Sequence, residues 1–264
     1  MSTPKLVATD LDGTLLDAEG QVSARTREVL RELDHRGIPV VFVTGRPIRW
    51  MESLWNDVGG HGLAVCSNGG IVYDVGSHSV RNALTVPRDT ALQVASTLRK
   101  AVPGTWFALE KTTGFAREEG FMGRHREPLG IETGPLEAIF DDSVVKLLAI
   151  HHEITPETYW RHAEEMVGTM LEVTWSSSFS LLEMSARGVT KATTLERLST
   201  ELGIGPADVV AFGDMPNDIP MLRWAGHSYA MANAHPSARA VAQHTAPANT
   251  DDGVATVLAR VFGL

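Results

Sequence analysis

The chain has 264 residues, 43% of them hydrophobic, enough to bury the core of one large domain or two smaller ones. Its 24 glycines and 13 prolines are ordinary usage, which excludes collagen-like and wholly disordered chains. A formal net charge of −9 weighs against nucleic-acid and anionic-membrane partners, while leaving room for an anionic small molecule held by a local cluster of cations.

Lys5 to Thr9 is a short apolar run ending at Asp10, the pattern of a buried strand. Ser23 to His35 places Val29, Leu30 and Leu33 on one side, with Gly37 as a stop, and predicts a helix. Ile38 to Val43 and Leu63 to Cys66 are further strands, the first stopped by Thr44-Gly45-Arg46-Pro47. Strands alternating with helices imply crossover units and a parallel sheet.

The middle of the chain reads differently. Arg88 to Val102 and Pro156 to Val167 carry helical apolar stripes. Trp106 to Glu110, Phe115 to Glu118 and Val144 to His151 read as strands, and Leu171 to Ser176 with Phe179 to Ser185 as a hairpin. After Gly188 the first pattern returns: Leu195, Leu198 and Leu202 mark a helix closed by Gly203, and Val209 to Phe212 a strand ending at Gly213-Asp214. The expected architecture is α/β: a Rossmann-like parallel-sheet core made of residues 1–83 and 188–264, interrupted by an α+β insert at 84–187. The single cysteine, Cys66, excludes an intramolecular disulfide and suits a reducing compartment. No apolar run approaches the roughly 18 residues of a membrane span. The N-terminal residues lack the pattern of a signal peptide, so cytoplasmic residence is the expectation.

Chemistry concentrates where predicted strands end. Asp10-Leu11-Asp12-Gly13-Thr14 sets two carboxylates two residues apart; if the chain stays extended they point the same way, and a divalent cation would relieve their repulsion. Thr44-Gly45 offers a hydroxyl and backbone N–H groups to a phosphate oxygen. Lys191 stands at a helix start, where a cation opposes the helix dipole at a cost of roughly 0.3–1 kcal/mol, a placement that gripping a phosphate explains. Gly213-Asp214-Met215-Pro216-Asn217-Asp218 adds two carboxylates and an amide within one turn. Each feature has a structural reading, as an Asp-rich turn, an ordinary loop, a solvated lysine or a helix cap. Three such signals at strand ends and a lysine at a helix start, in one α/β chain, favour a ligand site at the carboxyl edge of the sheet. His151-His152 reads as surface or packing, Cys66 as a buried small residue, and Trp106, Trp160 and Trp175 as core of the insert.

The order Asp-x-Asp-Gly-Thr, Thr-Gly-Arg, lysine, Gly-Asp-x-x-Asn-Asp resembles the haloacid-dehalogenase-like superfamily, and Ser67-Asn68-Gly69-Gly70, Ala230 to Ala234 and Asp252 to Ala255 are similar to segments of its Cof-type sugar-phosphatase branch. The resemblance covers residues 5–85 and 188–260 and is weak over the insert. It implies a phosphatase for a small phosphorylated metabolite, a sugar phosphate, working through a phospho-aspartate. Asp10 is then the nucleophile and Asp12 the acid and base. Mg²⁺ would be held by Asp10, the Asp12 backbone carbonyl and Asp214, with Asp218 reached through water. Thr44, Gly45, Lys191 and Asn217 would contact the phosphoryl group, and the insert would act as a specificity cap. A phosphomutase and a non-catalytic metabolite-binding protein are the alternatives. A monomer or homodimer is expected.

Overall fold

The structure is a computed structural model, and it describes residues 3–57, 62–122 and 130–264. In chain order the first segment contributes β1 (Leu6–Thr9), α1 (Ala24–His35), β2 (Val40–Val43), β3 (Leu63–Cys66), β4 (Ile71–Asp74) and β5 (Ser79–Ala83). Next come α2 (Arg88–Ala101), β6 (Trp106–Lys111), β7 (Gly114–Arg117), β8 (Glu132–Thr133), α3 (Leu136–Ile139), β9 (Val144–Ile150), α4 (Pro156–Val167), β10 (Leu171–Thr174) and β11 (Leu181–Ala186). The last segment supplies α5 (Lys191–Glu201), β12 (Val209–Gly213), α6 (Ile219–Trp224), β13 (His227–Met231), α7 (Pro236–Arg239), β14 (His244–Ala246) and α8 (Gly253–Phe262). The chain forms two compact units, one from residues up to Asn82 together with Thr190–Leu264, the other Ala83–Val189.

The first unit is built on one eight-stranded sheet of order β14-β13-β12-β1-β2-β3-β4-β5. The six strands from β14 to β3 run parallel, and β4 turns back antiparallel on β3. Every residue of β1, β2, β3 and β12 is buried, which explains why these strands read as continuous apolar runs rather than alternating ones. Ala192, Leu195 and Leu198 of α5 and Met221 of α6 cover one face, against Leu6, Ala8, Val41, Val43, Val65, Val209 and Ala211. Helices α1 and α8 pack together and bury Val29, Leu30, Leu33, Val254 and Leu258. The boundaries of α1 follow local chemistry: Ser23 caps it by accepting from the Thr26 N–H at 3.0 Å, and Gly37, at φ 70°, lets the chain leave.

Strand order fixes where a ligand can sit. From β1 the chain steps outward through β2 and β3 in one direction, and on its return through β12, β13 and β14 in the other. The boundary between β1 and β12 is therefore the topological switch point, where the crevice of a doubly wound sheet opens at the carboxyl ends.

The second unit is a six-stranded sheet of order β10-β11-β9-β6-β7-β8, antiparallel except for β7 with β8. Period-two alternation sorts its strands. Phe107, Leu109, Leu147, Leu182 and Met184 join Val94 and Leu98 of α2 and Tyr159 and Ala163 of α4 in one core. Ala108, Leu148 and Ile150 gather instead with Phe121. Burial raises the Tyr159 phenol well above its usual range, although its hydroxyl bonds Thr105 Oγ1 at 3.1 Å. His151 serves packing: its Nε2 meets the Pro103 carbonyl at 3.1 Å and its Nδ1 accepts from the Glu153 N–H at 3.2 Å. Cys66 is buried, as expected. Trp175 is buried and Trp160 packs against the core, but Trp106, expected inside, is 42% exposed. It opens β6, so its neighbour Phe107 takes the inward position and Trp106 falls on the alternate face. No helix among the described residues is long and apolar enough to cross a membrane.

Candidate active site

Register brings the sequence motifs together. Thr9 lies level with Phe42 of β2 and with Phe212 of β12, so Asp10, Thr44 and Asp214 emerge within one residue of each other on three adjacent parallel strands. The backbone ties them: the Asp10 N–H donates to the Phe212 carbonyl at 3.0 Å, and the Thr44 N–H to that of Val65 at 2.8 Å.

Three carboxylates and one ammonium form the centre. Lys191, fully buried, donates from Nζ to Asp10 Oδ1 and to Asp218 Oδ1, both at 2.7 Å. The second oxygen of Asp218 accepts from the Asp214 N–H at 2.9 Å and the Met215 N–H at 3.0 Å. Thr14 Oγ1 donates to Asp214 Oδ1 at 3.0 Å. The positive φ of Gly13, 73°, turns the chain at this point, and a Cβ there would overlap Asp214 Oδ2, so only glycine lets the loop after β1 approach that carboxylate. Helix α5 can begin with a lysine because Thr190 caps it, accepting from the Thr193 N–H at 3.1 Å.

The electrostatics follow from burial. Desolvation raises Asp10 well above the usual carboxylate range; Lys191 opposes this and the charges of Asp218 and Asp214 add to it. Desolvation, with the charge of Asp218, pushes Asp214 up to about 7, against the Thr14 hydrogen bond and Lys191. Burial alone would lower Lys191, but Asp10 and Asp218 outweigh it and hold the ammonium charged. Asp10, Asp214 and Asp218 each present an oxygen within 4.8 Å of the others. Three buried carboxylates against one ammonium leave an excess of negative charge, and hard oxygen donors at this spacing fit a small divalent cation such as Mg²⁺. Asp218, with both oxygens already bonded, is placed to orient Lys191 and the Asp214 loop rather than to ligate an ion directly.

The two aspartates of the first motif do not share partners. Asp10 (φ −67°, ψ 169°) and Asp12 (φ −69°, ψ 122°) are each extended, but the turn that begins at Leu11 breaks the run between them, and the Asp12 side chain, 61% exposed, pairs with Arg46. The expectation that both carboxylates point into one cluster is thus corrected: Asp12 contributes no side-chain oxygen to it.

Thr44 is buried, and its Oγ1 accepts from the Arg46 N–H at 3.0 Å; Gly45 lies between them at the same strand end. Asn217 is buried and donates from Nδ2 to Asn68 Oδ1 at 3.0 Å, while its Oδ1 finds no partner among the described residues. Ser67 and Asn68 both carry positive φ, 53° and 57°. Such strain is rare outside glycine and costs of order 1–3 kcal/mol per residue, so surrounding bonds must impose it. The Ser67 N–H donates to the Arg46 carbonyl and the Asn68 N–H to that of Thr44, each at 3.0 Å. At Gly69, φ 102°, a Cβ would overlap the Thr190 carbonyl that precedes Lys191. Gly69→Ala should therefore destabilise the first unit by about 1–3 kcal/mol. Denaturant titration measures this, and an unchanged midpoint would show that the loop has room.

Two residues with a part in this geometry carried no role from the sequence: Arg46 and Asn68. Arg46 lies inside a motif already singled out, so adjacency was the available signal. Asn68 had only its place in the Ser-Asn-Gly-Gly run.

The family model described as haloacid dehalogenase-like hydrolase matches residues 7–258. The chain is 29% identical over 256 residues to the 5-amino-6-(5-phospho-D-ribitylamino)uracil phosphatase YcsE of Bacillus subtilis (strain 168), covering 96% of this chain and 94% of that one. It is 30% identical to the phosphoglycolate phosphatase of Methanopyrus kandleri, covering 97% of each. Among solved structures, SMU.1108c from Streptococcus mutans UA159 superposes with a TM-score of 0.86 at 23% identity, over 99% of this chain and 100% of that one, a likeness of fold.

Proposed function

This chain belongs to the haloacid dehalogenase-like hydrolase family, and from that premise we propose that it hydrolyses the phosphomonoester of a small metabolite, a sugar phosphate, with Asp10 as covalent nucleophile. That it is a phosphatase acting on small phosphorylated metabolites rests on the family and on curated relatives that are named phosphatases. The observation that carries the mechanistic reading is the bridge of Lys191 between Asp10 and Asp218 at the switch point of the sheet.

The fit of the three carboxylates supports Mg²⁺ held by the Asp10 and Asp214 side chains with the Asp12 backbone carbonyl, and Asp218 behind them. Bound Mg²⁺ supplies positive charge that offsets repulsion between a phosphate ester and a carboxylate nucleophile. The chain's own groups do the rest. Lys191 orients Asp10, opposes the desolvation that disfavours its charge, and contributes charge to the phosphoryl oxygens, joined by the Thr44 hydroxyl, Gly45 and Asn217. In the first displacement an Asp10 oxygen bonds to phosphorus, the ester P–O bond breaks, and the departing oxygen takes a proton from Asp12. In the second, water bonds to phosphorus and gives a proton to Asp12, the Asp10–phosphorus bond breaks, and phosphate leaves.

Selection among substrates is assigned to residues 84–187, since the groups gathered around Asp10 address only features common to all phosphomonoesters. The test is a panel of phosphorylated sugars, nucleotides and cofactors, with kcat/KM read from phosphate release by the whole chain and by a chain lacking the insert. The whole chain should release phosphate and discriminate among sugar phosphates, and the shortened chain should lose discrimination while still hydrolysing an aryl phosphate. Isomerised product without free phosphate would point to a mutase, and binding without turnover to a non-catalytic protein.

A further inference from the structure

We propose that Arg46 is the positioning residue for Asp12, setting where that carboxyl gives and takes its proton. The inference rests on the proposed acid–base role of Asp12. Arg46 grips Asp12 by both oxygens, Nε to Oδ2 at 2.7 Å and Nη2 to Oδ1 at 2.6 Å, the parallel fork that gives arginine–carboxylate pairs their directional specificity.

The two partners are held very differently. The Arg46 N–H donates to Thr44 Oγ1 at 3.0 Å, its carbonyl accepts from the strained Ser67 at 3.0 Å, and its side chain is 18% exposed. Asp12 is largely exposed, and among the described residues the fork is the sole hold on its carboxylate. Arg46 is thus the fixed member and Asp12 the member being placed.

Two other roles fit poorly. An exposed ion pair is worth little to stability, and here it would join strand ends that already pair directly through Val7 with Val40 and Thr9 with Phe42. Gripping the phosphoryl group would require the same fork that Asp12 occupies. A guanidinium can keep one oxygen while releasing the other, so the carboxyl stays located as its free oxygen carries a proton. A lysine ammonium lacks that two-point geometry.

The test uses the Mg²⁺-loaded full chain, variants Arg46→Ala, Arg46→Lys and Asp12→Asn, and two esters. p-Nitrophenyl phosphate releases a stable anion, whereas glycerol phosphate releases an alkoxide that needs a proton. For either ester kcat/KM reports steps through the first displacement, while kcat includes the second. Arg46→Ala should lower kcat/KM for the alkyl ester by about 10²-fold, the lower range for positioned proton transfer, and leave that for the aryl ester within about fivefold. Arg46→Lys should recover only part of the loss. In the Asp12→Asn background the Arg46 change should add nothing, since the two act as a unit.

An equal fall for both esters would overturn the proposal and put Arg46 on the phosphoryl group. An additive loss in the double variant would overturn it as well. Should Arg46→Ala fail to fold, Arg46→Lys is read by the same criteria. If Asp12→Asn itself shows no leaving-group dependence, the acid–base role of Asp12 fails, and this inference with it. If Asp12→Asn shows it and Arg46 does not, only this inference fails.

Discussion

Asp10→Asn should lower turnover by at least about 10³-fold while leaving the fold intact, because loss of a covalent nucleophile removes the main route. The amide keeps the shape of the carboxylate but cannot form the acyl phosphate. Folding should survive for a physical reason. Asp10 is buried, and desolvation already works against its charge, so a neutral isostere removes a buried anion from a cluster that has too many. Lys191 keeps Asp218 at 2.7 Å as a partner and is not left unpaired. The check is kcat on an aryl phosphate beside thermal unfolding of the same preparation. Turnover within tenfold of the parent, in a variant that melts normally, would rule out the phospho-aspartate route.

Removing divalent metal should abolish turnover, and Mg²⁺ should restore it better than Ca²⁺. The smaller ion suits a compact octahedral oxygen site, whereas Ca²⁺ seeks 6–8 ligands at longer distances. The same site predicts a pH signature in unfolding. Asp214 is pushed up to about 7 in the fold, and Asp10 is raised in the same direction. Between the ordinary aspartate value and about 7 the folded, metal-free chain holds more protons than the unfolded one. The contribution of these two groups to stability therefore falls as pH rises through that window and is flat below it. Mg²⁺ should offset the decline, since it favours the ionised carboxylates. At a concentration 100 times its Kd, a ligand that binds only the folded state adds about 2.7 kcal/mol. At about 2–4 °C per kcal/mol, that is several degrees in Tm. The measurement is Tm from pH 4.5 to 7.5 in chelator and in excess Mg²⁺. Full activity after exhaustive chelation, with the two Tm curves superimposed, would sink the assignment of Asp10 and Asp214 to a cation.

The sequence by itself determined the elements that hold the site and the class of chemistry expected there. Buried parallel strands leave continuous apolar runs, as at Leu6 to Thr9 and Val209 to Phe212, and the polar residues just past such runs stand out: Asp10, Thr44, Asp214. Helix ends are local too, so Ser23, Gly37 and Thr190 act where their types suggest. Lys191 was conspicuous because it opposed a local rule, and its partners, Asp10 and Asp218, lie 181 and 27 residues away in sequence. Partner choice is what no local pattern carries. Asp10 and Asp12 look equivalent in sequence, yet one is buried on Lys191 and the other is exposed on Arg46, because the chain leaves the extension of β1 for a turn at Leu11, between them. Asn217 meets Asn68 across 149 residues. Trp106 looked like core and is exposed, because alternation on a strand gives the inward place to one of two apolar neighbours and only the neighbouring strands decide which. Such pairings depend on strand order and register, which are set by how all the elements bury apolar surface at once. That collective choice appears only when the chain is folded.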